Sequence, residues 1–339
     1  MESAAELCTI ITTTSPTPSN PSTELISETL RSLSEHAPEL RECRNIIVCD
    51  DYRLGPAPKY RSGVITEEGA TAYEAYVDSL RQLAEGSSVA LEQTATEPDT
   101  MHPAACWRTA EVLRLEGRHG FGFAVRAALE RVETPFVCVV QHDRSFIRPF
   151  CCAMKLFAAM RRDNRLKMIG LPTTTNDPSK YARAAETKLS RMKVQHPPFE
   201  SLIVAPPESP ELQLMPMIMW HDSTHLASTD YYRDFVFGKR NLVSRGGFIE
   251  DKLGQQQGND LRELGWSSHA DYGTWLLDDG APPPTRMVGH LNGKRFLDHA
   301  DRAALEARER AAAAAKREEE ESREAAGGDT AEASADSEG

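Results

Sequence analysis

The feature that most constrains the fold is a series of short apolar runs, rich in β-branched residues, that alternate with amphipathic segments. Such runs occupy residues 7–14 (LCTIITTT), 45–51 (NIIVCDD) and 134–143 (TPFVCVVQHD). Each run is short and ends in polar or turn-forming residues, so each predicts a buried β-strand. Continuously apolar strands separated by helices are typical of a mostly parallel sheet with helices on both faces. The sequence therefore predicts an α/β fold.

The intervals between these runs have helical patterns. A helix is predicted from residue 21, because proline is favoured in a first helical turn. Its apolar face would consist of Leu25, Ile26, Leu30 and Leu33. Further helices are predicted over about 66–83 and 118–132, and another strand over 111–117.

Polar residues follow the apolar runs. Ligands of parallel sheets bind at the edge that the carboxyl ends of the strands form. The polar residues expected at this edge are Thr12, Thr13, Thr14, Ser15, Asp50, Asp51, Gln141, His142 and Asp143. We therefore expect the functional site there.

The charge is negative and unevenly distributed. The chain carries 51 acidic and 39 basic residues, a formal net charge of -12, which argues against a nucleic-acid partner. Residues 301–339 contain 12 acidic and 6 basic residues and thus half of this charge. They are mostly helix formers without an apolar stripe, so we expect a charged helix that passes into a disordered end. Residues 1–300 are predicted to form one domain, with halves at 1–145 and 146–300.

The cysteines and the apolar runs bear on where the protein resides. The seven cysteines are odd in number and form no Cys-x-x-Cys pair, so neither a disulfide framework nor a thiolate zinc site is expected. No apolar run approaches the roughly 20 residues that span a bilayer. The amino-terminal segment lacks the basic region of a signal peptide. These features predict a cytoplasmic protein without a transmembrane anchor.

Four segments, taken in order, resemble glycosyltransferases of the GT-A type, especially those of family 2. They are residues 7–33, 46–51, 120–143 (GFGFAVRAALERVETPFVCVVQHD) and 246–251 (GGFIED). The resemblance covers about residues 7–295 and implies a single GT-A domain, which is Rossmann-like, with a nucleotide-binding first half and an acceptor-binding second half. It implies inverting transfer of a hexosyl or pentosyl group from a nucleoside diphosphate sugar to a hydroxyl group of a glycan, a protein or a small molecule.

The resemblance also implies a metal site. A departing nucleoside diphosphate develops negative charge, which a divalent cation with oxygen ligands can neutralise. The family has an Asp-x-Asp motif for this purpose, and the matching triplet here is Gln141-His142-Asp143, with glutamine in place of the first aspartate. The resemblance implies Asp143 and the late histidine His290 as ligands of Mn²⁺ or Mg²⁺.

Further residues are implied for the donor. Asp50 and Asp51 match the family's double aspartate, whose carboxylates accept hydrogen bonds from the base and ribose; an Asx turn at the strand end is the structural alternative. Arg144 and Lys294 would meet the diphosphate. The full implied set is Thr12, Thr13, Pro16, Asp50, Asp51, Arg118, His142, Arg144 and Lys294.

The segment GGFIED matches the family's acceptor side, where one carboxylate is the general base. By motif position we expect Asp251 to be the base and Glu250 to position the acceptor, although two acids at a helix start also suit the helix dipole. The other residues expected near the acceptor are Gly247, His221, Asp222 and His225. A zinc site at His221 and His225 is disfavoured, because the segment lacks the glutamate of a His-Glu-x-x-His motif.

Two alternatives stay open. A sugar-phosphate nucleotidyltransferase has a related sheet but needs a glycine-rich loop with a basic residue after the first strand, and residues 12–22 (TTTSPTPSNPS) contain neither. A noncatalytic GT-A-like protein that binds nucleotide sugars is suggested by Gln141. The joint presence of Asp143, Glu250, Asp251 and His290 opposes it.

Overall fold

The computed structural model describes residues 2–93, 107–238 and 241–305, and five further positions between 307 and 314. The chain divides into two compact units, Met1–Phe296 and Leu297–Gly339. In the second unit a helix begins at residue 299. Most of the charged tail predicted over 301–339 lies outside the described residues.

Within the described residues of the first unit, eight strands form one sheet and two short strands form another. The strands are β1 (Cys8–Thr14), β2 (Asn45–Cys49), β3 (Arg53–Leu54), β4 (Val64–Ile65), β5 (Ala110–Arg114), β6 (Phe136–Gln141), β7 (Met168–Gly170), β8 (Gln213–Pro216), β9 (His225–Ser228) and β10 (Thr274–Asp278). The order in the large sheet is β5-β2-β1-β6-β9-β7-β10-β8, and β3 pairs with β4.

Most strands of the large sheet run in the same direction. β5, β2, β1 and β6 are parallel neighbours, and so are β7 and β10. Among the described strands of this sheet, β9 and β8 are the two that run antiparallel to their neighbours. The register places Thr14 of β1 opposite Cys49 of β2, and Thr13 opposite Gln141 of β6. The carboxyl ends of these three strands therefore lie side by side.

Helices cover both faces of the sheet. The α-helices are α1 (Ala4–Leu7), α2 (Glu24–His36), α3 (Glu67–Gln93), α4 (Phe121–Leu129), α5 (Ala153–Arg162), α6 (Pro178–Met192), α7 (Gln255–Leu264) and α8 (His269–Tyr272). Adjacent residues of a strand point to opposite faces. Ile11 of β1 accordingly packs in one cluster with Val125 of α4, and Ile10 in another with Phe157 of α5. The predicted α/β fold with a mostly parallel sheet is confirmed.

The predicted elements occur with shifted ends. The four apolar residues predicted for the first helix are all buried in α2. The strand predicted over 45–51 ends at Cys49, so the double aspartate lies in the loop that follows. The helix predicted over 118–132 spans Phe121–Leu129, whereas α3 continues to Gln93, beyond its predicted end near residue 83. No helix among the described residues is long and apolar enough to cross a membrane.

The cysteines behave as small apolar side chains. Those in the described residues are free thiols, and all of them except Cys151 are buried. Burial raises the pKa of Cys49 to about 12, so its thiol stays protonated at neutral pH. Cys106 lies outside the described residues.

Candidate active site

A cavity opens at the carboxyl ends of β1, β2 and β6, at the edge where the sequence predicted a site. This central cavity has a volume of about 870 Å³, which includes space open to solvent. The loops after the three strands and the start of α4 form its walls. The predicted donor and metal residues that line it are Thr13, Pro16, Asp50, Arg118, His142, Asp143 and Lys294.

Two further cavities lie in series with the central cavity. The bridging cavity shares Asp143 and Lys294 with it and is also lined by Arg144. The outer cleft, which α6 borders, shares His221 and Glu250 with the bridging cavity. A ligand in the central cavity and one in the outer cleft would therefore meet at the bridging cavity.

Asp143 and His290, 147 residues apart in sequence, come together at this meeting point. Nε2 of His290 lies 3.1 Å from Oδ2 of Asp143, and the same oxygen accepts a hydrogen bond of 3.2 Å from the N–H of Gly293. Burial raises the pKa of Asp143, but the hydrogen bonds and the nearby histidines outweigh this effect and hold the pKa well below its usual range. Asp143 is therefore ionised at neutral pH.

The donor set fits a divalent cation. Two neighbouring ligands of an octahedral ion with bonds of about 2.1 Å lie about 3 Å apart, and the distance between Asp143 Oδ2 and His290 Nε2 is 3.1 Å. No group of three His, Cys, Asp or Glu side chains suited to a metal occurs among the described residues. The other ligands would then be substrate oxygens and water, as is common for Mg²⁺.

His142 forms a polar wall of the central cavity. Its Nδ1 lies 2.7 Å from Oγ1 of Thr14, which in turn lies 2.8 Å from the hydroxyl of Tyr76. The N–H of Ser15 also donates to Nδ1, at 3.4 Å. Burial lowers the pKa of His142; the charge of Asp143 opposes this shift without cancelling it. The imidazole is therefore neutral at pH 7.

Asp50 anchors the start of α4. Its Oδ1 accepts hydrogen bonds from the N–H groups of His119 (2.7 Å) and Asp51 (3.0 Å), and its Oδ2 accepts one from Gly120 (2.8 Å). Gly120 has φ +78°, and a Cβ there would lie 2.4 Å from the backbone of Gly246, so this approach requires glycine. The geometry matches the structural role considered for Asp50, and only its remaining lone pairs are available to a nucleotide.

Two predicted donor residues lie outside the linings of the three cavities. Asp51 accepts hydrogen bonds from Arg114 (2.7 Å) and from the N–H of Gly117 (2.6 Å). Thr12 is fully buried and donates to Oδ1 of Asn45 at 2.9 Å. Both side chains stabilise the sheet and its loops, so the structure gives no support to donor contacts by either.

Four basic side chains line the central and bridging cavities, although the chain is acidic overall: Arg61, Arg118, Arg144 and Lys294. The Nε atoms of Arg118 and Arg144 are buried and have no hydrogen-bond partner. The Nη atoms of Arg118 reach the carbonyl oxygens of Gly246 (3.2 Å) and Arg61 (3.3 Å). None of the four forms a salt bridge within the described residues. Buried donors without partners are costly, so this lining is suited to an anion.

Asp222 and Glu250, both predicted to lie near the acceptor, are hydrogen-bonded to each other. The N–H of Asp222 donates to Oε2 of Glu250 at 3.0 Å, and the N–H of Glu250 donates to Oδ2 of Asp222 at 3.0 Å. The indole N–H of Trp220 donates to Oδ1 of Asp222 at 2.8 Å. Burial, together with the charge of Glu250, raises the pKa of Asp222 to about 8. No described residue bonds Oε1 of Glu250, so this oxygen can serve a ligand.

Asp251 borders the outer cleft but not the bridging cavity. Its Oδ2 accepts a hydrogen bond of 3.0 Å from the N–H of Phe248, at the start of the π-helical turn Glu250–Gly254. A Cβ added to Gly247 would lie 3.5 Å from the same oxygen. The bridging cavity, which holds the Asp143–His290 pair, is thus bordered by the other acid of the motif, Glu250.

The two histidines of the segment HDSTH have different surroundings. His221 lines both the bridging cavity and the outer cleft, and its Nδ1 accepts a hydrogen bond of 3.2 Å from the N–H of Ser223. His225 is fully buried in β9, with its ring nitrogens 2.6 Å from the carbonyl oxygen of Ser223 and 2.7 Å from the hydroxyl of Tyr232. Burial lowers the pKa of His225 to about 4. The predicted acceptor contact therefore suits His221, whereas His225 belongs to the core.

The sequence did not indicate the aromatic residues of the central cavity. Phe121 and Phe248 stack there with ring centroids 5.4 Å apart. Each of them follows a glycine in one of the motifs noted in the sequence. The motifs therefore indicated where the two residues lie in the chain, but not that their rings are in contact. Tyr60 and Arg61 also line the cavity. They lie between the two-residue strands β3 and β4, for which no periodicity could be detected.

No protein-family model and no curated protein sequence matches this chain. Several solved structures match it. TarS of S. aureus (residues 1–349, with UDP-GlcNAc) is 14% identical with a TM-score of 0.38, over 80% of this chain and 56% of that chain. The mannosyltransferase PcManGT of Pyrobaculum calidifontis, in complex with GDP-Man and Mn²⁺, is 11% identical with a TM-score of 0.38, over 82% and 58%.

Glucosyl-3-phosphoglycerate synthase of Mycobacterium tuberculosis, in complex with Mn²⁺, UDP and glucosyl-3-phosphoglycerate, is 9% identical with a TM-score of 0.39, over 85% of this chain and 73% of that chain. These structures are similar to the chain at low sequence identity. The chain spans little more than half the length of the first two of these structures. Its own function has to be inferred from the residues of its cavities.

Proposed function

We propose that the protein is a glycosyltransferase that moves a sugar from a nucleoside diphosphate sugar to a hydroxyl acceptor. One observation carries the proposal: an ionised Asp143, paired with His290, lies at the strand ends among four basic side chains in a chain of net charge -12. Guanidinium and ammonium groups bind phosphate oxygens strongly. A lining of this kind suits a diphosphate together with a divalent cation.

The donor would occupy the central and bridging cavities. The nucleoside would lie against Thr13, Pro16 and the Phe121–Phe248 pair, and the diphosphate would take up the unpartnered donors of Arg118 and Arg144. Asp143 and His290 would hold Mn²⁺ or Mg²⁺. When bound, such a cation neutralises the charge that develops on the leaving diphosphate.

The acceptor would enter through the outer cleft. Transfer forms a bond between the acceptor oxygen and the anomeric carbon and breaks the bond from that carbon to the diphosphate, while the acceptor proton passes to a carboxylate. Placement favours Glu250 as this base, because it borders the bridging cavity and its Oε1 is available. The sequence motif favoured Asp251. Attack from the side opposite the leaving group would invert the anomeric centre.

His221 is suited to hold the acceptor and not to deprotonate it. Burial lowers its pKa, and Arg144 adds to this effect while Glu250 opposes it. The imidazole is therefore neutral, and because Nδ1 accepts the N–H of Ser223, the proton lies on Nε2. We expect His221 to donate a hydrogen bond to an acceptor oxygen beside Glu250.

The proposal is tested by thermal-shift titration with UDP-, GDP- and CDP-linked sugars, with and without Mn²⁺, followed by an assay for released nucleoside diphosphate. A ligand that binds the folded state raises the melting temperature, and the increase grows with the logarithm of ligand concentration above its Kd. We expect one nucleotide class to stabilise the protein in the presence of Mn²⁺. Arg118→Ala should remove this shift, and the matched control Arg126→Ala, on the exposed side of α4, should keep it.

Other outcomes select the alternatives. Release of pyrophosphate from a nucleoside triphosphate and a sugar phosphate would identify a nucleotidyltransferase. Binding of a nucleotide sugar without release of nucleoside diphosphate, with water or with a panel of sugars as acceptors, would identify a noncatalytic binding protein. No response to any nucleotide sugar would refute the proposal.

A further inference from the structure

Gln141 takes the first position of the strand-end triplet and makes a contact that an acidic residue cannot make. It is the last residue of β6 and lines both the central and the bridging cavity. Its side-chain Nε2 donates a hydrogen bond of 2.6 Å to the main-chain carbonyl oxygen of Asp222. A carboxylate has no N–H to donate, and at this distance its charge would repel the carbonyl oxygen. The contact therefore requires an amide with the reach of glutamine.

The residue that Gln141 holds is the one that holds the candidate base. The carbonyl oxygen of Asp222 accepts from Gln141, and the N–H of Asp222 donates to Oε2 of Glu250. The side chain of Asp222 returns a hydrogen bond to the N–H of Glu250 and is itself fixed by Trp220. Asp222 is only 3% exposed, so little solvent can replace these bonds. Asp222 therefore connects the strand end at Gln141, the indole of Trp220 and the turn that begins at Glu250.

We infer that Gln141 is a positioning residue for the acceptor side: through Asp222, the strand end that binds the donor fixes the carboxylate that receives the acceptor's proton. The inference rests on the proposed function. It also gives a reason for glutamine at this position, since an aspartate would be free to approach a metal but would lose the hydrogen bond to Asp222. Small displacements of a catalytic group can cost about a hundredfold in rate. Loss of the hydrogen bond between Gln141 and Asp222 is therefore expected to slow the reaction.

Gln141→Met tests the inference, because methionine keeps the length of the side chain and removes the N–H. Hydrogen exchange of the Asp222 and Glu250 amides should accelerate about three- to tenfold, as expected for loss of one buried hydrogen bond in the network. In the described part of the chain, the hydrogen bonds run from Gln141 to Asp222 and from Asp222 to Glu250, so we expect faster exchange at Glu250 to be transmitted through Asp222. The matched control Gln213→Met, at the exposed start of β8, should leave both amides unchanged.

Kinetics separate positioning from donor binding. In Gln141→Met the kcat for release of nucleoside diphosphate should fall about tenfold or more, while the KM for the nucleotide sugar and its Mn²⁺ dependence change less than about threefold. Gln141→Leu, which has no N–H and adds no charge beside Asp143, should show the same split. It serves as the second variant if the methionine variant does not fold.

Three results would overturn the inference alone. Unchanged exchange at Glu250 would show that Gln141 does not fix it, and unchanged kcat would show that fixing it does not matter. Loss of Mn²⁺-dependent donor binding as complete as in Asp143→Asn would make Gln141 part of the metal site. A wild-type protein that binds no nucleotide sugar would refute the function and the inference together, whereas the first three results leave the function standing.

Discussion

The proposed donor side and the proposed acceptor side of the cavities are built in different ways. The donor side lies on the ends of three adjacent parallel strands, β1, β2 and β6, whose register fixes the neighbouring side chains. The acceptor side consists of loops and a π-helical turn, Glu250–Gly254, which hydrogen bonds among Gln141, Asp222 and Glu250 hold in place. The sheet supports the first region through many contacts, and a few polar contacts support the second.

This difference predicts which substitutions should reduce stability and which should reduce activity. A carboxylate at a strand end such as Asp50 is shared among several backbone N–H groups, so its loss should affect stability more than chemistry. A carboxylate such as Glu250 keeps one oxygen for a ligand, so its loss should affect chemistry more than stability. The predictions below test this contrast, in order of decreasing effect.

The largest effect is expected at the candidate base. Glu250→Gln should lower the rate of transfer about 10²-fold or more, the usual cost of losing a general base, with donor binding unchanged. Asp251→Asn should cost less than about tenfold, because Asp251 lies outside the bridging cavity. The measurement is kcat for release of nucleoside diphosphate in both variants. The reverse order, with Asp251→Asn the slower enzyme, would restore the assignment that the sequence motif favoured.

A second large effect is expected at Asp143. Asp143→Asn removes the charge that is paired with His290, so Mn²⁺ should no longer increase donor affinity; the melting temperature without ligand should also fall, because the low pKa of Asp143 means that its charge stabilises the folded state. Isothermal titration of the nucleotide sugar with and without Mn²⁺ measures this. Asp163→Asn, outside the three cavities, is the control. A variant that keeps full Mn²⁺ stimulation would place the metal elsewhere.

Asp50→Ala should lower the stability of the folded protein. It leaves the N–H groups of Asp51, His119 and Gly120 without their acceptor, and buried unpaired donors cost about 1–3 kcal/mol. Since this is the cost of one such donor, the free energy of unfolding in urea should fall by at least this amount. Asp78→Ala removes an exposed acid that is 3.0 Å from Arg81, and should cost less than about 1 kcal/mol. Equal losses in the two variants would show that Asp50 is not a structural anchor.

The smallest effect concerns pH. The pKa of Asp222 in the folded protein is about 8, above its ordinary value of 3.8, so the folded state binds this proton more tightly than the unfolded state. The contribution to stability is present below about pH 4 and is lost as the pH rises to about 8. Between pH 6.5 and 8.5 the wild type should therefore lose more stability than Asp222→Asn, as melting temperatures would show. Parallel pH profiles would mean that Asp222 is ionised throughout.

The same contrast explains how far the sequence could be interpreted. The strands β1, β2 and β6 are buried on both faces, so their apolar runs were detectable, and the polar residues at their ends were expected at one edge. The pair of Asp143 and His290 came from a family resemblance, and the structure brings the two side chains together. The local sequence thus predicted the edge of the sheet at which the central cavity opens.

The rest depends on contacts between residues distant in sequence. Whether Asp50 binds a ligand or caps a turn depends on hydrogen bonds from the N–H groups of His119 and Gly120, which lie 69 and 70 residues later in the sequence. The role of Gln141 depends on Asp222, 81 residues away. Motif position distinguished Glu250 from Asp251 only by analogy, because neighbouring residues of a helical turn point in different directions. Such choices are made by tertiary packing.

The central claim is that a nucleoside diphosphate and a divalent cation meet at Asp143 and His290. The most direct measurement is a crystal structure of the protein with Mn²⁺ and the nucleoside diphosphate that stabilises it. The account predicts the cation about 2.1 Å from Asp143 Oδ2 and close to His290 Nε2, with the diphosphate against Arg118 and Arg144. A nucleotide bound outside the central and bridging cavities, or a cation that contacts neither Asp143 nor His290, would contradict it.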